Sequence, residues 1–333
     1  MSDDTNISLT TLASDDLVTP FQIEGIGLRG RIARFGPLID DILSRHNYPE
    51  PVSILLGEAV VLASLFGSAL KFKGRLTLQT KGDGPVNMIV ADYDTSGSMR
   101  GYAMFDAEKV EALIEQEKTT SADLLGKGYL AMTIDQGPDM DNYQGITELS
   151  AEGLSHSAHE YFQQSEQIAT RIRLAVGPLY QRDDDGKGTT VWRAGAIMIQ
   201  HIAKEGGLTG PRDQEEDAKE TPENGEHQDA QTQQEKDWDH GVILLNTTKD
   251  HELLDPDLPA DRLLYRLFHE DGVRVFPPTS VSFGCRCSQE KMLAVLRKLP
   301  LEELHDIAEN GTISARCEFC NEQFNFDPDN LPK

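Results

Sequence analysis

Short apolar runs separated by polar turns dominate the first half of the chain. Residues 86–91 (VNMIVA) and 99–104 (MRGYAM) read as strands, and the DTSGS stretch at 94–98 supplies hairpin chemistry, with Gly97 free to take a positive φ. A second strand pair is expected at 128–134 (GYLAMTI) and 143–149 (YQGITEL), on either side of the turn formers Gln136, Gly137, Pro138 and Asp139. Helical spacing of apolar positions appears at 38–43, at 52–70 and at 158–169. The last of these is preceded by Ser157 with Glu160 three residues on, a capping-box pattern. Helices interrupt the strands without a strict βαβ rhythm, so residues 17–193 are expected to form an α+β unit in which antiparallel strands dominate.

The pattern breaks at 205–237. That stretch holds eleven Asp or Glu against Arg212, Lys219 and Lys236, and its only aliphatic residues are Leu208, Ala218 and Ala230. With so little to bury, it cannot offset an ordering entropy of roughly 1–2 kcal/mol per residue, and it reads as a disordered, solvated insertion. Three apolar or amphipathic segments flank it, at 194–199, 238–245 and 263–268. They are read either as a linker that packs on the core and can come free, or as ordinary core helices.

Composition narrows the class. A chain of 333 residues, 38% hydrophobic, can bury a real core and divide into two or three units. Its net charge of −25 repels a phosphate backbone, so nucleic acid is not an expected partner. The longest apolar stretches, 59–63 and 194–199, fall far below the roughly 18–20 residues of a membrane helix, and no span is expected. The first five residues are polar and acidic, without the basic and apolar regions of a signal peptide, which argues against export and against a secreted disulfide framework.

All four cysteines lie in the last fifth of the chain, as Cys285-Arg286-Cys287 and Cys317-Glu318-Phe319-Cys320. Two close pairs on separate loops can place four thiolates around one tetrahedral Zn²⁺. The one-residue gap of the first pair is short for a structural zinc site. It also allows a strained disulfide between neighbours, and such bonds are the labile, regulatory kind. Arg286, Lys291 and Arg316 favour thiolate in this region, while Glu290, Glu318 and Glu322 oppose it. The cysteines therefore support a redox switch or a purely structural zinc ribbon. A third reading, a dithiol oxidoreductase or isomerase using Cys317 and Cys320, needs a strand-to-helix context, whereas residues 312–326 read as a turn between strands.

Other motifs carry less. Gly25, Gly27 and Gly30 form a G-x-G-x-x-G, but residues 31–35 continue as a strand where a dinucleotide-binding helix should open. Gly126-Lys127-Gly128 lacks the rest of a phosphate-binding loop. His156, His159 and Glu160 match no metalloprotease spacing and read as a cluster on a polar helix face. His269 and His305 are expected to face solvent, because four thiolates already complete a zinc shell.

Together with the cysteines, the segments at 82–87 (GDGPVN), 126–130 (GKGYL), 160–167 (EYFQQSEQ), 268–275 (FHEDGVRV), 283–288 (FGCRCS) and 317–321 (CEFCN) resemble the heat shock protein 33 family of redox-regulated cytoplasmic chaperones. The resemblance covers nearly the whole chain. It implies an N-terminal α+β core over 1–193, a helical linker over 194–275 and a C-terminal zinc-binding switch over 276–333. It also implies one zinc per reduced chain, held by Cys285, Cys287, Cys317 and Cys320. A non-enzymatic, ATP-independent holdase is expected, which binds unfolded clients after oxidation and dimerises in that state. The expected disulfides are Cys285 with Cys287 and Cys317 with Cys320, since closure within each pair has the highest effective concentration. The insertion at 205–237 departs from the family and falls in the linker.

Overall fold

The computed structural model describes residues 15–137, 140–182, 188–201 and 224–331, with side chains in the last stretch from residue 233. The described chain opens with the hairpin β1 (Leu17–Ile23) and β2 (Leu28–Phe35), then helices α1 (Pro37–Ser44) and α2 (Glu50–Ala69). Next come β3 (Arg75–Gly82), β4 (Val86–Asp94), β5 (Ser98–Phe105), α3 (Ala107–Glu115), α4 (Ser121–Leu125), β6 (Gly128–Asp135) and β7 (Tyr143–Glu148). Helix α5 (Leu154–Tyr161) runs into a π-helical turn, Phe162–Glu166, before the long pair β8 (Thr170–Arg182) and β9 (Gly188–His201). Helices α6 (Asn224–Asn246), α7 (Asp250–Leu254) and α8 (Ala260–Phe268) precede three short strands, β10 (Val273–Val275), β11 (Thr279–Ser280) and β12 (Ser282–Phe283). The last described elements are α9 (Gln289–Leu296), α10 (Leu301–Asp306) and the hairpin β13 (Ile313–Arg316) and β14 (Gln323–Phe326).

The fold is α+β. One sheet runs β10-β1-β2-β9-β8, with β11 also on β1, and the second runs β12-β5-β4-β3-β6-β7. Both predicted hairpins form: β4 pairs antiparallel with β5, and β6 with β7. Between the sheets lies α2, largely buried and predominantly apolar, although it carries Glu58, whose pKa is pushed up to about 7 by burial. Its two interior glycines show how closely it is held. A Cβ on Gly57 would meet Val176 of β8 at 2.6 Å, and one on Gly67 would meet the Tyr93 ring of β4 at 2.1 Å. By length and composition α2 is apolar enough to cross a membrane, contrary to the expectation from contiguous runs. With 78% of its most apolar window buried inside the protein, it passes that test as a core helix does.

The outer face of the first sheet is covered by helices. Phe21, Ile23, Leu28, Ile32 and Ile199 of the sheet pack against Leu245, Leu253, Leu263, Leu264, Leu267 and Phe268 of α6, α7 and α8. Helix α8 buries one face (Leu263, Leu264, Leu267, Phe268) and leaves Tyr265 in solvent. Buried arginine Arg34 on β2 reinforces this layer: it donates to the backbone carbonyls of Glu252, Asp255 and Leu258, around the α7–α8 turn. Arg173 of β8 bonds the Thr248 carbonyl and pairs with Asp250 at the start of α7.

Several expectations are corrected. Residues 194–199 are not linker: they lie in β9, paired on both sides with β2 and β8, so a boundary at 193 would cut a central strand. Part of the insertion lies outside the described residues, but from Asn224 it is helical rather than disordered. The polar stretch there is continuous with the anchored end of α6, where Trp238, Val242 and Leu245 reach the sheet, and Gln233 bonds Asp237 one turn on. A helix fixed at one end extends into polar sequence without a new nucleation step. Residues 273–283 likewise belong to the core sheets through β10, β11 and β12, so the tail does not separate at 276. The Gly25–Gly30 motif is the β1–β2 turn, with Gly27 at φ +62° and Gly30 already in β2.

The capping box at Ser157 does not form, because α5 starts earlier, after Gly153, and the Ser157 hydroxyl serves Gly153 and Ser150 instead. Nor is His159 on a polar face. Its Nε2 accepts the Ile172 N–H at 2.8 Å, and burial pushes its pKa down to about 4. A base whose folded pKa lies below its unfolded value near 6.5 binds its proton more readily when unfolded. It contributes stability above pH 6.5, and that contribution is lost as pH falls from 6.5 towards 4. The melting temperature is expected to drop across that window in the parent and to fall less steeply in His159→Gln, which keeps an acceptor; parallel pH profiles by calorimetry would count against the assignment.

Candidate metal centre and its docking onto the core

Four cysteines converge because an extended segment and a tight turn face each other. Cys285 and Cys287 lie on the extended segment after β12, just before Ser288 caps α9 by accepting the Lys291 N–H. Cys317 and Cys320 lie on the β13–β14 turn. There Asn321 takes φ +62° and its N–H returns to the Cys317 carbonyl at 2.8 Å, while the Cys317 N–H bonds Glu322. Asparagine tolerates this left-handed backbone better than a branched residue would.

The four sulfurs all lie within 4.8 Å of one another. Two contacts that cross between the cysteine pairs are close, Cys285 to Cys317 at 3.6 Å and Cys287 to Cys320 at 3.3 Å. A tetrahedral zinc–thiolate centre, with bonds of about 2.3 Å, has sulfurs about 3.8 Å apart. The donor set therefore fits one tetrahedral ion. Among the described residues it is the only group of three or more His, Cys, Asp or Glu placed to hold a metal.

Electrostatics point the same way. Burial raises the Cys287 thiol strongly, and the surrounding sulfurs add to the effect; Cys320 is also raised, by burial first. Cys285 moves down: burial opposes ionisation there, but the Cys287 backbone N–H and adjacent thiols more than compensate. Four such sulfurs cannot all be thiolates together without a cation among them. Cys317 is buried, and the other three are partly exposed. Behind the sulfurs, Leu293, Leu296, Leu304, Ile313 and Phe326 form a core of their own, small beside the other two.

The residues between the cysteines attach this module to the second sheet. Arg286 reaches Asp92 at 3.6 Å and Asp94 at 3.8 Å, both on β4. Phe319 lies under the Arg100 guanidinium at 3.7 Å and edge-on to Tyr102 at 4.7 Å, both on β5. The Arg100 charge is held by Asp92 at 2.8 Å. Asn321 donates to the Arg45 carbonyl at 2.8 Å, and Arg45 covers Phe283 at 4.1 Å. Upstream, β12 adds in parallel to β5, and Gly284 passes so close that a Cβ there would meet Ser98 Oγ at 2.0 Å.

Every cysteine predicted as a ligand is thus brought into one cluster. His269 and His305 stay apart from it and exposed, and Cys317 and Cys320 sit between strands rather than at a helix start. The docking residues Arg45, at the end of α1, and Asp92, Arg100 and Tyr102, on β4 and β5, were not singled out from sequence, since nothing local marks such a residue as the partner of a module about two hundred positions away. The intervening Arg286 and Phe319 were the available signal.

A two-sheet α+β core, capped by helices on one face and carrying on the other sheet a four-cysteine module that could hold a metal ion, defines a class of two-part proteins. Comparison with known proteins narrows the class to one family. The family model described as Hsp33 protein matches residues 16–327. A 33 kDa chaperonin of Caulobacter vibrioides is 46% identical over 326 residues, covering 97% of this chain and 99% of its own. That of Escherichia coli is 33% identical over 312 residues, covering 93% and 92%. A crystal structure of the 33 kDa chaperonin (heat shock protein 33 homolog) from Thermotoga maritima superposes with a TM-score of 0.70 at 22% identity, over 95% of this chain and 96% of that one. This chain belongs to the Hsp33 family.

Proposed function

We propose that this chain is an ATP-independent holdase chaperone, held inactive while its cysteines are reduced and bind one Zn²⁺, and activated by disulfide formation with zinc release. One observation carries the reading above the others: the residues that dock the module, Arg286, Phe319 and Asn321, lie within or next to the cysteine pairs. Whatever disorders the cysteine segments also removes the docking contacts.

Zinc, when bound, supplies the positive charge that lets four thiolates share one site. The chain's own residues do the rest. A thiolate attacks peroxide, forming a sulfenic acid and releasing hydroxide; a second thiol then displaces water to close a disulfide, so two peroxides give two disulfides. In the folded state two close sulfur–sulfur contacts, Cys285 to Cys317 and Cys287 to Cys320, cross between the cysteine pairs. Once the metal leaves and the module loosens, short sequence separation governs closure, and Cys285–Cys287 and Cys317–Cys320 are the expected bonds. Loss of the module frees β12, of two residues, then β11 and β10, which tie the same strand of chain to β1. Helices α6 to α8, joined directly to that strand, can then lift off and expose the apolar face they cover. Unfolded polypeptide is the partner such a face fits. Oxidised chains dimerise, and a reducing compartment, the cytoplasm, is where a thiol switch has something to sense.

The test begins with reduced, zinc-loaded protein, half of it treated with peroxide at elevated temperature. Zinc release, disulfide mapping by mass spectrometry and suppression of client aggregation are followed together. Release of one zinc per chain with reversible onset of protection supports the switch. Retained zinc, or equal protection in both states, rejects it in favour of a structural ribbon, and turnover of disulfide substrates would favour a catalytic dithiol.

A further inference from the structure

A cleft of about 470 Å³ separates the metal module from the second sheet. Its lining gathers five cations, Arg75 and Arg100 from the core with Arg286, Lys291 and Arg316 from the module, against a single carboxylate, Glu318. Cys287 and Cys317 of the metal centre line it as well, and even with both counted as thiolates the cations outnumber the anionic groups five to three, in a chain with 56 acidic and 31 basic side chains. Two of the five have partners that explain them, since Arg100 and Arg286 meet on Asp92 and Arg286 also reaches Asp94. The other three do not. Among the described residues no ion pair involves Arg75, Lys291 or Arg316: Arg316 bonds the neutral Gln323, Lys291 bonds the Arg286 carbonyl, and Arg75 keeps a buried Nε with no partner.

We propose that this cleft is a binding site for a phosphate-class oxyanion, gripped from both sides by Arg75 of the core and by Lys291 and Arg316 of the module. Guanidinium forks match the planar oxygen pairs of such an anion, and the ammonium of Lys291 adds a third point of charge. The volume exceeds a single phosphate, and multiple cations favour a multiply charged ligand, so pyrophosphate is the probe of choice. Because its donors come from two bodies, a bound anion clamps the module to the sheet. By linkage it favours the docked, metal-retaining state and opposes zinc release. Phosphate-class anions would thereby set the oxidant threshold of the switch. The binding site rests on geometry alone, whereas its regulatory effect rests on the function proposed above.

The experiment uses full-length, reduced, zinc-loaded protein titrated with pyrophosphate at constant ionic strength, with binding read by calorimetry and by ³¹P line broadening. Saturable binding is expected, weakened about tenfold or more in Arg75→Gln and in Arg316→Gln, each of which removes one charge-assisted contact. Zinc content and melting curves verify that each variant is folded; should Arg75→Gln fail to fold, Arg316→Gln and Lys291→Gln carry the same test from the module side. Pyrophosphate is further expected to slow peroxide-driven zinc release in the parent but not in the variants. A response to ionic strength alone, or binding unchanged in the variants, overturns the site. Weaker zinc retention in the variants without any pyrophosphate binding also overturns it, and makes the cations counter-charges of the metal centre. Binding without an effect on zinc release leaves an anion site and rejects its coupling to the switch, while failure of client protection with binding intact rejects only the chaperone reading.

Discussion

Cys317→Ser is expected to lose stoichiometric zinc and to leave residues 284–331 protease-sensitive while the two-sheet core stays folded. Cys317 is the most buried of the four sulfurs, 5% exposed, and its backbone closes the turn through Glu322 and Asn321, so no water-filled alternative replaces it as a ligand. The apolar core behind it consists of five buried side chains from α9, α10, β13 and β14. So small a core does not hold a module of this length without a staple. Apparent zinc binding in small zinc domains is about 10–16 kcal/mol and is folding free energy, which makes loss of the metal equivalent to loss of the fold. Metal analysis, limited proteolysis and circular dichroism on the full chain decide it. A metal-free Cys317→Ser protein with a protease-resistant tail would mean that the small core suffices, and that zinc is no switch.

The same variant separates two readings of the cysteines. If undocking of the module is what activates the chain, Cys317→Ser protects clients without oxidant; a structural ribbon predicts aggregation of the variant itself and no protection.

Much of this site could be read from the chain before any coordinates. Cysteine is rare here and confined to two short motifs, so spacing alone gathered all four sulfurs. Strand pairing at 86–104 and 128–149 was legible because alternation and Gly or Pro punctuation are local signals. What failed was non-local. Residues 194–199 form an apolar run that reads alike as a helix face or as a strand buried on both sides, and only their pairing with β2 and β8 decides between them. The polar stretch from Asn224 lacks apolar periodicity and still continues as helix, because α6 is anchored at Trp238 and Leu245 beyond it. Arg34 was equally invisible. A lone arginine in a strand has no sequence mark that says three backbone carbonyls, more than two hundred residues later, will surround it.

That arginine carries the second large prediction: Arg34→Ala is expected to unlock the linker without touching a single cysteine. Its side chain is buried among the carbonyls of Glu252, Asp255 and Leu258, and burial lowers its pKa without displacing its charge at any working pH. Truncation leaves three carbonyls of the α7–α8 turn without their donor, each at a cost of about 1–3 kcal/mol where water cannot replace it. Amide exchange across 250–268 is expected to accelerate by at least about two orders of magnitude in the reduced, zinc-loaded protein, since roughly 1.4 kcal/mol corresponds to a factor of ten. Arg34→Lys keeps a charge but cannot reach all three acceptors, and falls between. If the helical cap is the gate to the client surface, Arg34→Ala protects clients with zinc still bound and cysteines still reduced. Faster exchange at 250–268 without such protection would show that the apolar face under α7 and α8 is not where clients bind, and would move the search to the second sheet, where Met104, Tyr129, Tyr143 and Ile146 stand exposed.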